Sequence, residues 1–180
     1  MGLPAWLTLA YSARDAGDNE RAAAVLRDAA SAGHLEALVR LAMMLWPKEE
    51  RRAEALIQEV ESRVEEDDSD THFALYQAYA LGLTGEPDRE SHDGNALDAY
   101  LRQKGRAFRH LKVAAELDAH PRLLYSVGLH YWQGLNGVER NDEEAERWLC
   151  RASRSGESDI VKSYKKFVCE QAKKSLRRET

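Results

Sequence analysis

LLYSVGLHYWQGLNGVERNDEEAERWLCRASRSG, residues 123 to 156, decides the fold. It pairs a large apolar residue with a small one at Val127-Gly128 and adds Tyr131 one turn later. Gly134 and Gly137 break the pattern, and Ala145, Trp148 and Ala152 resume it at helical spacing. A small residue on one helix lets a second helix come close. Gly134 suits the end of a helix, where the chain needs positive φ. The stretch reads as two antiparallel helices around a glycine turn.

Val127-Gly128, Tyr131, Gly134, Gly137-Val138, Asn141, Ala145, Trp148, Ala152 and Gly156 together resemble a Sel1-like repeat, a hairpin unit related to the tetratricopeptide repeat. Asn141 stands where the family has Asp, and the loop is one residue longer. The resemblance implies that such hairpins stack into a solenoid and that the solenoid binds other proteins.

The same columns recur upstream. Ala22, Ala53 and Ala107 match Ala145, each followed at helical spacing by a large residue (Val25, Leu56, His110, Trp148). Leu9-Ala10, Leu41-Ala42 and Leu75-Tyr76 match Val127-Gly128, and Leu45 and Tyr79 match Tyr131. A repeated unit of this length marks a stacked architecture. The pattern predicts an all-α, right-handed solenoid of about four helical hairpins and a C-terminal capping helix. The helices are expected at 4–16 with 18–32, 34–46 with 48–66, 71–83 with 96–118, and 121–134 with 142–154. The hairpins fill 4–32, 34–66, 71–118 and 121–155, forming one repeat domain over 1–180. The cap spans 157–177, with Ile160, Tyr164, Phe167, Val168 and Leu176 on one stripe. Pro47 follows Trp46 in place of the second hairpin's glycine turn, and TGEPDRESHDGN, 84–95, is an inserted loop.

Composition narrows the function. The chain of 180 residues is 43% hydrophobic and 32% charged, the balance of a folded soluble domain. It has no apolar run near the roughly 20 residues a membrane span needs and no basic, apolar leader at its start. Cys150 and Cys169 are too few for a disulfide framework and fit a reducing cytoplasm as small core residues. The net charge is -5, but residues 161–180 hold seven Lys or Arg against Glu170 and Glu179. That tail is +5 and the rest of the chain -10. An acidic body argues against nucleic-acid binding. A basic final helix suits its own dipole. It also makes a second copy of the chain a candidate partner through that helix.

No catalytic constellation appears. The chain lacks a glycine-rich phosphate loop, a GxSxG elbow and HExxH. No two of its six histidines fall at i,i+3 or i,i+4, so no metal site and no cofactor is expected. His110 reads as a packing residue. The acidic run Glu65 to Asp70 lacks the glycine and late glutamate of a calcium loop and reads as a turn, with Asp70 or Thr71 capping the next helix.

In tetratricopeptide-like solenoids the first helices line the concave face. The resemblance places there Leu7, Tyr11 and Arg14; Val39, Met43 and Trp46; Phe73, Gln77 and Leu81; and Tyr125, Leu129, Trp132 and Gln133. None is acidic, and aromatics and Met are typical of interface cores. The expected function is a non-catalytic adaptor that binds another protein in this groove. The family also includes bacterial immunity proteins that occlude a toxin, and an acidic body would steer a basic toxin. A regulatory subunit of an enzyme is the third reading.

Overall fold

The computed structural model describes residues 3–46, 48–83 and 96–178, and the side chains of all of these except 96–101, 169, 170 and 172–178. The described residues form nine helices and no strand. They are α1 (Ala5–Asp15), α2 (Asn19–Ser31), α3 (Leu35–Leu45), α4 (Glu50–Glu61), α5 (Ser69–Ala80), α6 (Ala96–Asp118), α7 (Pro121–Gln133), α8 (Asp142–Ser153) and α9 (Ser158–Arg178). The chain falls into two compact units, Met1–Ala99 and Tyr100–Thr180. The expected third hairpin straddles that division, with α5 in the first unit and nearly all of α6 in the second. The expected loop 84–95 and Pro47 lie outside the described residues, as does the side chain of Leu176.

In the first unit α1 packs on α2, and α3 packs on α2, α4 and α5. Contact between α3 and α5 sets two first helices side by side, as hairpin stacking requires. Ala22 and Ala53, the anchors of the second helices, are fully buried. Ala10, Leu26, Ala29, Ala37 and Leu41 form a core cluster, covered by Trp6, Leu45 and Leu56. The first-helix column is not uniform: Leu41 and Leu75 are buried, but Leu9 is 53% exposed. The Asp18 carboxylate accepts from the Arg21 N–H at 2.9 Å and so starts α2.

The helix ends that differ from expectation by more than a residue are those of α4 and α5; α4 begins at Glu50, not 48, and α5 ends at Ala80, not 83. α4 stops at Glu61 instead of running to 66. The acidic run that follows would place negative charge on the negative end of the helix dipole. The cap of α5 is Asp68, not Asp70 or Thr71. Its Oδ1 accepts from the Thr71 N–H at 3.0 Å, which starts the helix two residues earlier.

In the second unit α7 and α8 form the tightest hairpin. Gly128 and Ala145 are buried at their interface. A Cβ at Gly128 would stand 2.7 Å from Leu149 Cγ, inside any allowed contact, so only glycine permits this approach. Gly134 ends α7 at φ 67°, its N–H donating to the His130 carbonyl at 2.9 Å. Asn141 caps α8 by accepting from the Glu144 N–H at 3.0 Å. Trp148 is buried beneath the Arg151 guanidinium and donates its indole N–H to Glu144. The α7–α8 hairpin thus has the geometry its Sel1-like pattern implies. Val168, expected on the buried stripe of α9, is 42% exposed, because Ile160 and Phe167 carry that stripe toward α7 and α8 and Val168 falls beside it.

Candidate partner-binding faces

The residues assigned to the inner face split into three groups. Val39 is fully buried and serves the core, and Trp132 is 7% exposed beneath Phe167 of α9, so neither offers a surface with α9 in place. Tyr11, Met43, Trp46, Phe73, Gln77, Tyr125 and Leu129 are half-buried. Arg14, Gln133 and Leu81 are exposed, Leu81 at 59%. Leu7 is buried.

In the first unit α1, α3 and α5 present these side chains. The Arg14 guanidinium lies over the Tyr11 ring, 4.8 Å from its centroid. Phe73 stacks on Tyr76 at 6.2 Å. Between α3 and α5 lies a polar link that local sequence reading missed. Arg40 holds Glu36 with two hydrogen bonds, 2.8 and 3.0 Å, and also donates to the Gln77 amide oxygen. The ion pair is nearly closed to solvent. Burial pushes the Glu36 carboxyl above its ordinary range. Arg40 opposes that shift, and Asp70 and Asp68 reinforce it. The i,i+4 spacing of Glu36 and Arg40 was a legible signal for the pair. Nothing local signalled Gln77, 37 residues away. Its side-chain oxygen is therefore committed to bracing two helices, which limits what it can offer a partner.

In the second unit, α9 lies against the part of α7 assigned to the inner face. Trp132, Ala145, Leu149 and Phe167 form one cluster, with Tyr125, Leu129, Tyr131 and Tyr164 packed against it. The Trp132 and Phe167 rings meet edge to face, with centroids 5.5 Å apart. The Tyr125 and Ser163 hydroxyls bond at 2.9 Å. Arg122 at the start of α7 pairs with Glu157 at 2.8 Å and Asp159 at 3.5 Å. Burying Ile160 and Phe167 contributes about 1.5–3 kcal/mol each, and exposed ion pairs such as Arg122–Glu157 at most about 1 kcal/mol. Among the described residues, the strongest of these contacts on the cap are therefore Ile160 and Phe167. Lys162, Lys165 and Lys166 stand exposed on it, with Lys166 Nζ 6.0 Å from the Trp132 ring centroid.

The titratable groups that could suggest chemistry have packing roles. His130 is buried in the second unit against Phe108, at 5.3 Å between ring centroids. Its Nδ1–H donates to the Ser126 carbonyl at 2.8 Å, leaving Nε2 to accept from the Asn136 amide at 3.1 Å. Burial lowers its pKa, and the Ser126 bond opposes that shift. His110 is buried, as its column implied. Cys150 is a free, half-buried thiol, not a core residue, because it faces the Tyr164 hydroxyl. Among the described residues no three His, Cys, Asp or Glu come together to hold a metal. No described helix is long and apolar enough to cross a membrane.

No protein-family model and no curated protein matches the chain. Among solved structures, it is similar to the crystal structure of a proposed sel1 repeat protein from Klebsiella pneumoniae subsp. pneumoniae. The two are 19% identical, 91% of each chain is covered, and the TM-score is 0.41.

Proposed function

We propose that this chain is a non-catalytic protein-interaction module, an adaptor acting in the cytoplasm, and that it binds its partner on the inner face of the first helices. The reading takes residues 1–180 as one binding domain. The observation that carries it is the character of that face in the first unit. Tyr11, Met43, Trp46 and Phe73 are half-buried and Leu81 is exposed, in a chain whose charge is otherwise acidic. Half-buried aromatics and Met gain from being covered, and the aromatics lose little rotamer freedom when they are. Val39 leaves the list of contact residues, Trp132 offers no surface while α9 covers it, and Gln77 acts as a brace.

The charge distribution favours one narrower version, an immunity protein that occludes a basic toxin. Residues 1–160 carry -10, which would raise the encounter rate with a cationic partner and make that rate fall with salt.

The test is capture of interacting proteins from native cells by the wild-type chain and by the Met43→Ala/Leu81→Ser variant. The proposal expects a partner retained by the first and lost by the second, with helicity by circular dichroism unchanged. Equal retention overturns the assignment of the face. A captured toxin encoded beside this chain's gene would select the immunity reading, and a captured enzyme whose turnover changes on binding would select a regulatory subunit.

A further inference from the structure

We infer that the surface formed by α7 and α8 is a docking site for an amphipathic helix, and that α9 fills it in cis as a displaceable cover. This rests on the reading of the first-helix face as a binding surface.

The register assigns Tyr125, Leu129 and Trp132 of α7 to that face, yet the chain's own last helix covers them. α9 therefore shows what the site accepts. It presents Ile160, Tyr164 and Phe167 at i, i+4 and i+7, the spacing of a helix laid into a groove. Phe167 meets the edge of Trp132, and the Ser163 hydroxyl meets that of Tyr125. Two acids at the N-terminus of α9 pair with Arg122. The occupant that fits is thus a partner's helix with an apolar stripe of this spacing, an aromatic residue at its third position and an acid ahead of it.

The fit of α9 itself is imperfect. Gln171, one turn beyond Phe167, carries a buried Nε2 with no acceptor among the described residues. A buried donor left unpaired weakens the docking of the segment that carries it. A partner helix with an apolar residue there would not have that defect. The turn at Ser155-Gly156 joins α9 to α8, and Gly156 sits at φ 76° with nothing within 4 Å of where a Cβ would be. The joint does not wedge α9 in place.

A cis cover lowers the apparent affinity for a trans helix by the fraction of time the site is open. The probe is a labelled peptide of residues 157–178, titrated by anisotropy against three full-length proteins. Ile160→Ala/Phe167→Ala, which weakens the cover, should bind the peptide at least tenfold more tightly than wild type. Glu157→Lys/Asp159→Lys sets lysines against Arg122 without touching the apolar stripe, and should shift affinity in the same direction. It serves as the check if the first variant loses helicity. Adding Trp132→Ala to the Glu157→Lys/Asp159→Lys variant should remove the gain. Equal affinity for wild type and both cover variants, or tight binding that ignores Trp132, overturns the inference. Neither result bears on partner capture by the first unit, so the two readings fail separately.

Discussion

Replacing Gly128 with Ala separates the close approach of α7 and α8 from every other effect of a glycine. Two glycines lie within helices of the second unit, Gly105 in α6 and Gly128 in α7. A Cβ at Gly105 meets nothing within 4 Å, so Gly105→Ala should stabilise the protein by the helix propensity gain alone, about 0.8–1.0 kcal/mol. At Gly128 the same Cβ lies 2.7 Å from Leu149 Cγ, 2.8 Å from its Cδ2 and 3.1 Å from its backbone nitrogen. Carbon atoms pack at about 3.5–4.0 Å, so the helices must part by roughly an ångström or Leu149 must turn. Leu149 is fully buried against Trp132 and Phe167 and has no free direction. Overpacking of this kind costs about 1–3 kcal/mol. Gly128→Ala should therefore be about 1–3 kcal/mol less stable than Gly105→Ala, whatever the propensity scale, because propensity cancels in the difference. A third leg closes the argument. Leu149→Ala removes the two closest atoms and costs about 2–5 kcal/mol alone. Adding Gly128→Ala to it should then be nearly neutral or stabilising, a coupling of about 1–3 kcal/mol. Urea unfolding followed by circular dichroism and tryptophan fluorescence measures all four proteins. If Gly128→Ala stabilises as much as Gly105→Ala, the hairpin is not held at the approach described.

Removing Glu36 as Glu36→Ala leaves the part-buried Arg40 with Gln77 as its remaining partner among the described residues, and should cost the first unit up to about 3–5 kcal/mol in urea unfolding; a loss below 1 kcal/mol would contradict the pair's burial. Because burial raises the folded-state pKa of Glu36 above its unfolded value near 4.5, its contribution is complete below that pH and is lost as pH rises through the folded value. Wild type should thus lose stability relative to Glu36→Gln as pH rises above about 4.5, and an opposite slope refutes the assignment. His130 behaves the other way: its folded pKa is lowered, so its contribution is present above about 6.5 and lost as pH falls below it. His130→Gln should flatten the second unit's stability as pH falls below about 6.5, and an unchanged profile would show that His130 does not govern it. Asp18→Ala and Asn141→Ala should each cost about 1 kcal/mol as lost helix caps, checked by the same unfolding assay, whereas Asp70→Ala should cost less because Asp68 is the cap of α5.

Much of the fold was legible because it is local. The i,i+3,i+7 spacing of alanines and large residues, Gly134 at a helix end and Asp18 after a turn each act within about two turns of helix, and they placed the ends of most helices within a residue or two. Gly128 announced a close approach, and Leu149 supplies the other side of it. The boundary of α4 was missed because apolar periodicity continues to Val64 while charge ends the helix earlier. The candidate face was only half legible. Register assigns residues to a face but does not say what else packs there. Phe167 covers Trp132 from 35 residues away, and Arg40 reaches Gln77 from another helix. Contacts of that range leave no periodic trace in the chain.

The central claim is that the first-helix face of the first unit meets a partner protein. Site-specific photo-crosslinking in native cells tests it most directly, with the photoreactive residue at Leu81 or, as a control, at Arg52 on the exposed side of α4. The account predicts a discrete adduct to one protein from Leu81 and none from Arg52. Equal adducts from the two positions, or none from Leu81 under conditions where the chain is expressed and folded, would contradict it.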